Sequence, residues 1–360
     1  MLVRVSVPRA NVGCLQPQVP GWNVTVPPPA EPVDPQDAPT LSVLITYYRG
    51  ERVIRGAVES VLAQTVRPHE IVICDDGSPD DLRAALGPLV DEVRIVRKEN
   101  GGTGSALNAA VRAAQGEYVV QLDQDDACLP RRIEAMAATL AARPDVDIVA
   151  TDAIFELEGT PVTTFEAVTP FPKDDQRTAI LYTPTFLWPA IRRSLLLAAG
   201  GYDESFKAVE DWECFTRLVL GGAVTAFVHE PLYRWRLSAG SRSSNDSVAR
   251  IQDGVDLTAK ALAQSPLAPD ERAVAESLLA MRRRWLAREQ ARYAIETRAR
   301  DARRRSLQLV LGRGFDRATR AKAGVAVLSP ALADRFMARR REHADPAADA
   351  LAQRGFRLSA

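Results

Sequence analysis

The sequence has little sulfur or imidazole to work with. Among 360 residues there are four cysteines, Cys14, Cys74, Cys128 and Cys214, and three histidines, His69, His229 and His343. The cysteines lie far apart with no C-x-x-C pair, which argues against a zinc site or a redox dithiol and for reduced thiols. The histidines have no visible partners and read as structural or solvated groups. No G-x-x-x-x-G-K-[ST] and no G-x-S-x-G occurs, so P-loop chemistry and the serine nucleophile elbow are absent. No run of 18 apolar residues appears, so no bilayer span is expected. The N-terminus has two arginines but no apolar stretch after them, so a secretory leader is not expected and a cytoplasmic protein is. Neither charge dominates: Lys+Arg and Asp+Glu are both 46, which speaks against a dedicated nucleic-acid binder. What is there is ordinary globular material, 46% hydrophobic and 26% charged, with ample chain to bury a core.

Three regions differ in texture. Residues 1–40 hold eight prolines between Pro17 and Pro39, which suits an extended tether. Its start, Leu2 to Val7, could add an edge strand. From Leu41 the pattern alternates. Strands are predicted at Leu41–Ile45, Glu70–Cys74, Val93–Val96, Tyr118–Leu122 and Val146–Ala150. Helices are predicted at Arg52–Ala63, Asp80–Val90, Gly104–Ala114 and Arg131–Ala142. Such alternation means βαβ units, a largely parallel sheet and helices on both faces. Short strands follow at Ile154–Leu157, Phe227–His229 and Leu232–Leu237, with helices at Arg192–Ala199 and Trp212–Leu220. Beyond Ser247 the chain is helical almost throughout. The division is a tether over 1–40, a catalytic α/β domain over 41–245 and a helical region over 246–360.

Acidic residues gather where such a sheet binds ligands, outside the carboxyl ends of its strands. The fourth strand ends in Asp123-Gln124-Asp125-Asp126, three carboxylates in four residues. They repel one another unless solvated or bound to a cation. Alternate residues Asp123 and Asp125 can present oxygens to one hard ion, Mg²⁺ or Mn²⁺, which keeps waters and phosphate oxygens as its other ligands. The plainer alternative is an acidic turn with Asp126 capping the next helix. The second strand ends in Asp75-Asp76-Gly77-Ser78, where a carboxylate can accept a nucleobase N–H, or where Ser78 or Asp80 can cap the following helix. Glu210-Asp211 precedes an apolar helical run; a carboxylate at that helix start can act as a general base or serve as a cap. Gly102-Thr103-Gly104-Ser105 opens a helix as a truncated G-x-G-x-x-G with Leu107 at the third glycine, which keeps an NAD-dependent oxidoreductase as a rival reading.

Taken in order, the segments resemble the GT-A-fold family 2 glycosyltransferases over about residues 41–245. They are Ser42–Tyr48, Ser60–Thr65, Asp75-Asp-Gly-Ser78, Glu99-Asn-Gly-Gly102, Asn108, Gly116-Glu-Tyr118, Asp123-Gln-Asp-Asp126, Gly200–Phe206, Glu210-Asp211, and Leu232-Tyr-Arg-Trp-Arg236 with Gly240-Ser241. The resemblance implies a nucleotide-sugar donor, with a UDP-sugar foremost, a divalent metal and an inverting transfer to an acceptor hydroxyl. It implies that Thr46, Asp75 or Asp76 and Asn108 hold the donor, that Asp123 contacts ribose or metal, and that Asp125 is the main metal ligand. Asp211 is the implied base, with Glu210 second. Arg49 stands where the family commonly has asparagine, and Ser238 where many members have a histidine. The work implied is synthesis of a polysaccharide, glycolipid or glycosylated metabolite on a sugar, lipid-linked or small-molecule acceptor. A non-catalytic sugar-nucleotide-binding protein on the same fold is a further alternative.

The C-terminal arm has its own character. From Met281 to Gly314 there are 11 arginines against Glu289, Glu296 and Asp301, a local charge of +8. Trp285, Leu286, Leu307 and Leu311 are interspersed. A basic amphipathic helix of this kind suits peripheral contact with the inner membrane face, or else a solvated helix packed on the catalytic domain.

Overall fold

The computed structural model describes residues 39–172, 174–237, 247–312, 314–330 and 333. The expected N-terminal tether and Ser238 lie outside the described residues, apart from Pro39 and Thr40.

Strand β1 (Leu41–Tyr47) shows how the sheet is built. Successive side chains of a strand point to opposite faces. Leu41, Val43, Ile45 and Tyr47 enter one core, while Leu44 enters the other. β2 (Glu70–Asp75) and β4 (Tyr118–Asp123) alternate in the same way. With β3 (Arg94–Arg97) they form a parallel set in the order β3-β2-β1-β4. Helices α1 (Ile54–Leu62), α2 (Leu82–Leu86) and α4 (Arg132–Ala142) cover the first face. Helices α3 (Thr103–Ala113) and α8 (Glu210–Leu220) cover the second. Each fully buried aliphatic or aromatic side chain in these cores contributes roughly 1.5–3 kcal/mol.

Past β4 the sheet is mixed rather than largely parallel. β8 (Ala190–Arg192) pairs antiparallel with β4 and with β6 (Ile148–Leu157). β9 (Thr225–Leu237) runs parallel to β6, and β5 (Ala127–Cys128) and β7 (Thr160–Thr164) add antiparallel edges. A three-residue strand carries no periodicity, so β8 is invisible in the sequence. Two pairs of expected strands are single long ones. Polar Asp152 interrupts the apolar pattern of β6, yet its buried carboxylate accepts the N–H groups of Ala153 and Glu166 at 2.7 and 2.8 Å, and the strand continues. In β9 the register shifts where Pro231 cannot donate to a ladder. The expected helix over 80–90 breaks at Gly87, whose φ of 57° and following Pro88 end α2 and start a 3-10 turn, Gly87–Glu92. Its cap is Asp81, not Ser78 or Asp80.

The remaining helices are α5 (Phe165–Val168), α6 (Gln176–Tyr182), α7 (Arg193–Ala198), α9 (Ser247–Gln264), α10 (Pro269–Glu296), α11 (Ala302–Leu311) and α12 (Arg317–Leu328). Leu181, Leu220, Ala261, Ala275 and Leu278 form one apolar cluster that ties α9 and α10 to α6 and α8. The helical extension is therefore packed on the α/β body. No helix among the described residues is long and apolar enough to cross a membrane.

Candidate active site

The ends of β1, β2 and β4 lie side by side. Thr46 pairs in register with Cys74 on one side and Asp123 on the other. The β4 loop is braced from several directions. Gln124 exchanges two hydrogen bonds with the Tyr48 backbone, at 3.0 and 3.1 Å, which fixes the loop to the end of β1. Next to it, Arg49 has a φ of 51°, a region asparagine tolerates better than most residues, and its N–H donates to Ser78 Oγ at 2.8 Å.

Asp123 keeps its carboxylate at the surface of the loop. Its Oδ1 accepts from Gln121 at 3.2 Å and its Oδ2 from the indole N–H of Trp188 at 3.0 Å. Asp125 lies beside it, its carbonyl accepting from Arg236 at 3.3 Å. Asp126 turns the other way and caps no helix. It is buried, and its carboxylate accepts from the Tyr233 hydroxyl at 2.7 Å and the Arg236 N–H at 2.8 Å. Burial pushes its carboxyl well above the usual range, and the charges of Asp123 and Asp125 add to the rise. The loop thus turns Asp126 inward to hold it, while Asp123 and Asp125 are only partly buried. Two such carboxylates suit a Mg²⁺ or Mn²⁺ ion that takes few protein ligands. No group of three or more metal-binding side chains occurs among the described residues.

The second acidic cluster is also engaged. Asp75, buried, accepts from the Ser78 N–H and from Arg97, both at 2.8 Å. A cavity of about 250 Å³ opens beside it, lined by Asp75, Asp81, Leu82, Arg83, Ile95 and Arg97. Asp76 accepts from Lys98 at 2.9 Å and from the N–H groups of Gly101 and Gly102 at 3.0 and 2.8 Å. Its carboxylate therefore braces the turn that leads into α3, where the truncated glycine motif serves as the helix start.

Glu210 and Asp211 open α8, whose cap residue is Val209 with no side-chain cap bond, so neither acid serves as the N-cap. Glu210 is buried; Asp211 is partly exposed, and its Oδ1 accepts the N–H of Trp212 at 2.6 Å. Tyr202 lies buried beside this helix start. Burial pushes its phenol well above the ordinary value, and Cys214, Asp211, Glu210 and Asp123 push the same way. The carboxylates from two distant segments are thus within electrostatic reach of one buried ring. Glu210 and Tyr202 both pack against α3 at Gly104, where a Cβ would meet their Cβ atoms at an ordinary contact distance of 3.7 Å. Asn108, expected at the donor, spends its amide elsewhere. It accepts from the Tyr202 N–H at 2.8 Å and donates to the Tyr202 carbonyl at 2.9 Å and to Glu204 at 3.0 Å.

Three residues at the site carry no signal as individuals in the sequence. Trp188 has a φ of 45° and stacks on Tyr233, ring centroids 4.0 Å apart and 7° from parallel. Arg132 is fully buried; it donates to the Trp188 carbonyl and to Cys128 Sγ, and lies 4.7 Å over the Tyr233 ring. Only Tyr233 falls in a segment that the family order singles out.

The mixed sheet with flanking helices has a GT-A-like fold. Residues 42–196 match the family model Glycosyl transferase family 2, which together with the fold supports a GT-A family 2 glycosyltransferase. It is 28% identical over 234 residues to an uncharacterized glycosyltransferase of Rickettsia prowazekii, covering 61% of this chain and 70% of that one. Among solved structures it is similar to S. aureus TarS 1–349 in complex with UDP-GlcNAc, with TM-score 0.58 and 18% identity over 82% of this chain and 88% of that one. It is also similar to the mannosyltransferase PcManGT of Pyrobaculum calidifontis in complex with GDP-Man and Mn²⁺, with TM-score 0.53 and 20% identity over 83% and 88% of the two chains.

Proposed function

We propose that this glycosyltransferase moves a sugar from a nucleoside-diphosphate donor, a UDP-sugar foremost, to an acceptor hydroxyl with inversion at the anomeric carbon. The observation that supports the proposal is that Asp123 ends β4 opposite Thr46 of β1, while Glu210 and Asp211 sit in the first turn of α8, which packs against α3. Asp211, at the positive end of α8, accepts the proton of the acceptor hydroxyl. The acceptor oxygen bonds to C1 as the bond from C1 to the diphosphate oxygen breaks, and the nucleoside diphosphate leaves with the electron pair. Glu210 is the second choice for the base. Asp125, with Asp123, would hold Mg²⁺ or Mn²⁺; when bound, that ion neutralises the departing diphosphate. Thr46 and Asp75 line the donor side, and Asp76 and Asn108 position the loops that frame it. The neighbours' complexes with UDP-GlcNAc and GDP-Man support a nucleotide-sugar donor.

Acceptor delivery from an anionic membrane surface is favoured by the outer face of α10. Met281 and Trp285, one turn apart, are 48% and 47% exposed beside exposed Arg283 and Arg284. A cytoplasmic enzyme working at that surface in polysaccharide or glycolipid synthesis would use such a face.

The test of donor class is thermal stability with UDP, GDP, dTDP and NAD, each with and without Mn²⁺. A ligand at 100 times its Kd adds ~2.7 kcal/mol. A manganese-dependent shift with one diphosphate, lost in Asp125→Ala, is expected. A shift with NAD alone would overturn the proposal. Wild-type sugar transfer by both Asp211→Asn and Glu210→Gln would remove the base assignment.

A further inference from the structure

The loop before Glu210 is held by a helix from beyond the family-matched segment. Residues 203–209 form no helix or strand; the N–H groups of Ser205 and Phe206 are accepted within the loop by Asp203, and those of Lys207 and Ala208 by α9. α9 reaches the loop through Asp253, Leu257 and Lys260, which are spaced to share one helical face. One oxygen of Asp253, Oδ2, accepts the N–H of Lys207 at 3.0 Å and that of Ala208 at 2.8 Å. Buried Leu257 closes over Phe206 and Val209. Lys260 donates to Asp203 and pairs with Glu213 of α8 at 2.8 Å, its ammonium 5.5 Å over the Phe206 ring. From behind, Arg282 of α10 donates to the carbonyls of Leu181 and Tyr182 at 2.8 and 2.9 Å. It also lies 4.7 Å over Trp212, the residue after Asp211. The Trp212 indole donates in turn to the Ile180 carbonyl at 2.7 Å.

The geometry points to Asp253 as a positioning residue for the reaction. By fixing the backbone at Lys207 and Ala208 it sets where α8 begins, and so where Glu210 and Asp211 present their carboxylates. α9 is then a working part of the active site rather than an appendage. The inference rests on Asp211 as the base. Small displacements of a reacting group are costly: ~1 Å lowers turnover by ~100-fold.

The test uses the full chain with Asp253→Ala, Asp253→Asn and Asp211→Asn. Two quantities are read: hydrogen exchange of residues 203–212, and release of UDP from a UDP-sugar. Asp253→Ala is expected to speed exchange at Lys207, Ala208 and the first turn of α8 by ~10-fold or more while β1 and β4 keep their protection. Turnover should fall by ~10- to 100-fold with donor KM little changed. Asp253→Asn retains a carbonyl that accepts both N–H groups and should restore most of both. Wild-type exchange over 203–212 in Asp253→Ala overturns the inference, whether or not turnover is measurable. So does an Asn variant as impaired as the Ala variant, or a loss confined to KM. If Asp211→Asn turns over at the wild-type rate while Asp253→Ala still loosens the loop, the base assignment fails and the clamp stands.

Discussion

The hydrogen bond from Trp188 to Asp123 can be removed with little disturbance to the packing around it. In Trp188→Phe the ring still lies over Tyr233, where the indole now sits 4.0 Å away and nearly parallel. The backbone carbonyl still receives Arg132. What is lost is one N–H donor, 3.0 Å from Asp123 Oδ2. A hydrogen bond to a charged group contributes ~1.5–3 kcal/mol. Asp123 is only half-buried, so a value just below that range applies, about 1–1.5 kcal/mol, or a factor of ~5–10 in affinity. Mn²⁺ affinity in saturating UDP should therefore weaken by ~5- to 10-fold, read by isothermal titration calorimetry. The smaller ring itself costs about 1–2 kcal/mol of fold stability, to be measured separately by urea unfolding. A variant that unfolds as expected yet binds Mn²⁺ with wild-type affinity would refute the idea that Trp188 aims Asp123 at a cation.

Three further outcomes are expected. Asn108→Ala removes three buried hydrogen bonds to the 202–204 turn and should cost ~2–3 kcal/mol in urea unfolding; a cost under ~0.5 kcal/mol would show that the turn holds without it. Burial alone would raise the Asp203 carboxyl, but Lys260 and Ser205 outweigh it and bring it from 3.8 to about 2. A depressed folded value stabilises above 3.8 and loses that contribution as pH falls towards 2, so the stability advantage of wild type over Lys260→Met should shrink across that window. Asp203 is partly exposed, so the change is about 1 kcal/mol after screening; an advantage independent of pH there would contradict the pairing. Finally, Arg283→Glu with Arg284→Glu should weaken binding to anionic phosphatidylglycerol vesicles, read by sedimentation, by ~30-fold or more, since each basic residue near such a surface contributes ~1 kcal/mol; unchanged sedimentation would remove α10 as the membrane face.

Much of the architecture is legible because it is local. β1, β2 and β4 declare themselves by apolar runs that end in acids, and α1, α3 and α4 by apolar residues at helical spacing. Asp123 and Asp125 fall at the end of β4, and Asp211 in the first turn of α8, as strand and helix periodicity predict. The illegible parts depend on partners distant in the chain. The Tyr233 hydroxyl that holds Asp126 is 107 residues away, and the Tyr202 backbone that claims Asn108 is 94 residues away. Equally, nothing in Asp75-Asp76 tells which acid faces the cavity and which closes the N-terminus of α3.

By itself the sequence determined the alternation of strands and helices, the order of the acidic segments and the family to which they belong. These follow from side-chain periodicity and from residue types whose chemistry does not depend on neighbours. Only the tertiary structure decided which carboxylates are spent on holding the fold, as those of Asp126 and Asp76 are. A buried carboxylate is stable only with donors aimed at it, and where those donors lie is fixed by the packing of β8, β9 and α9 against the parallel half of the sheet.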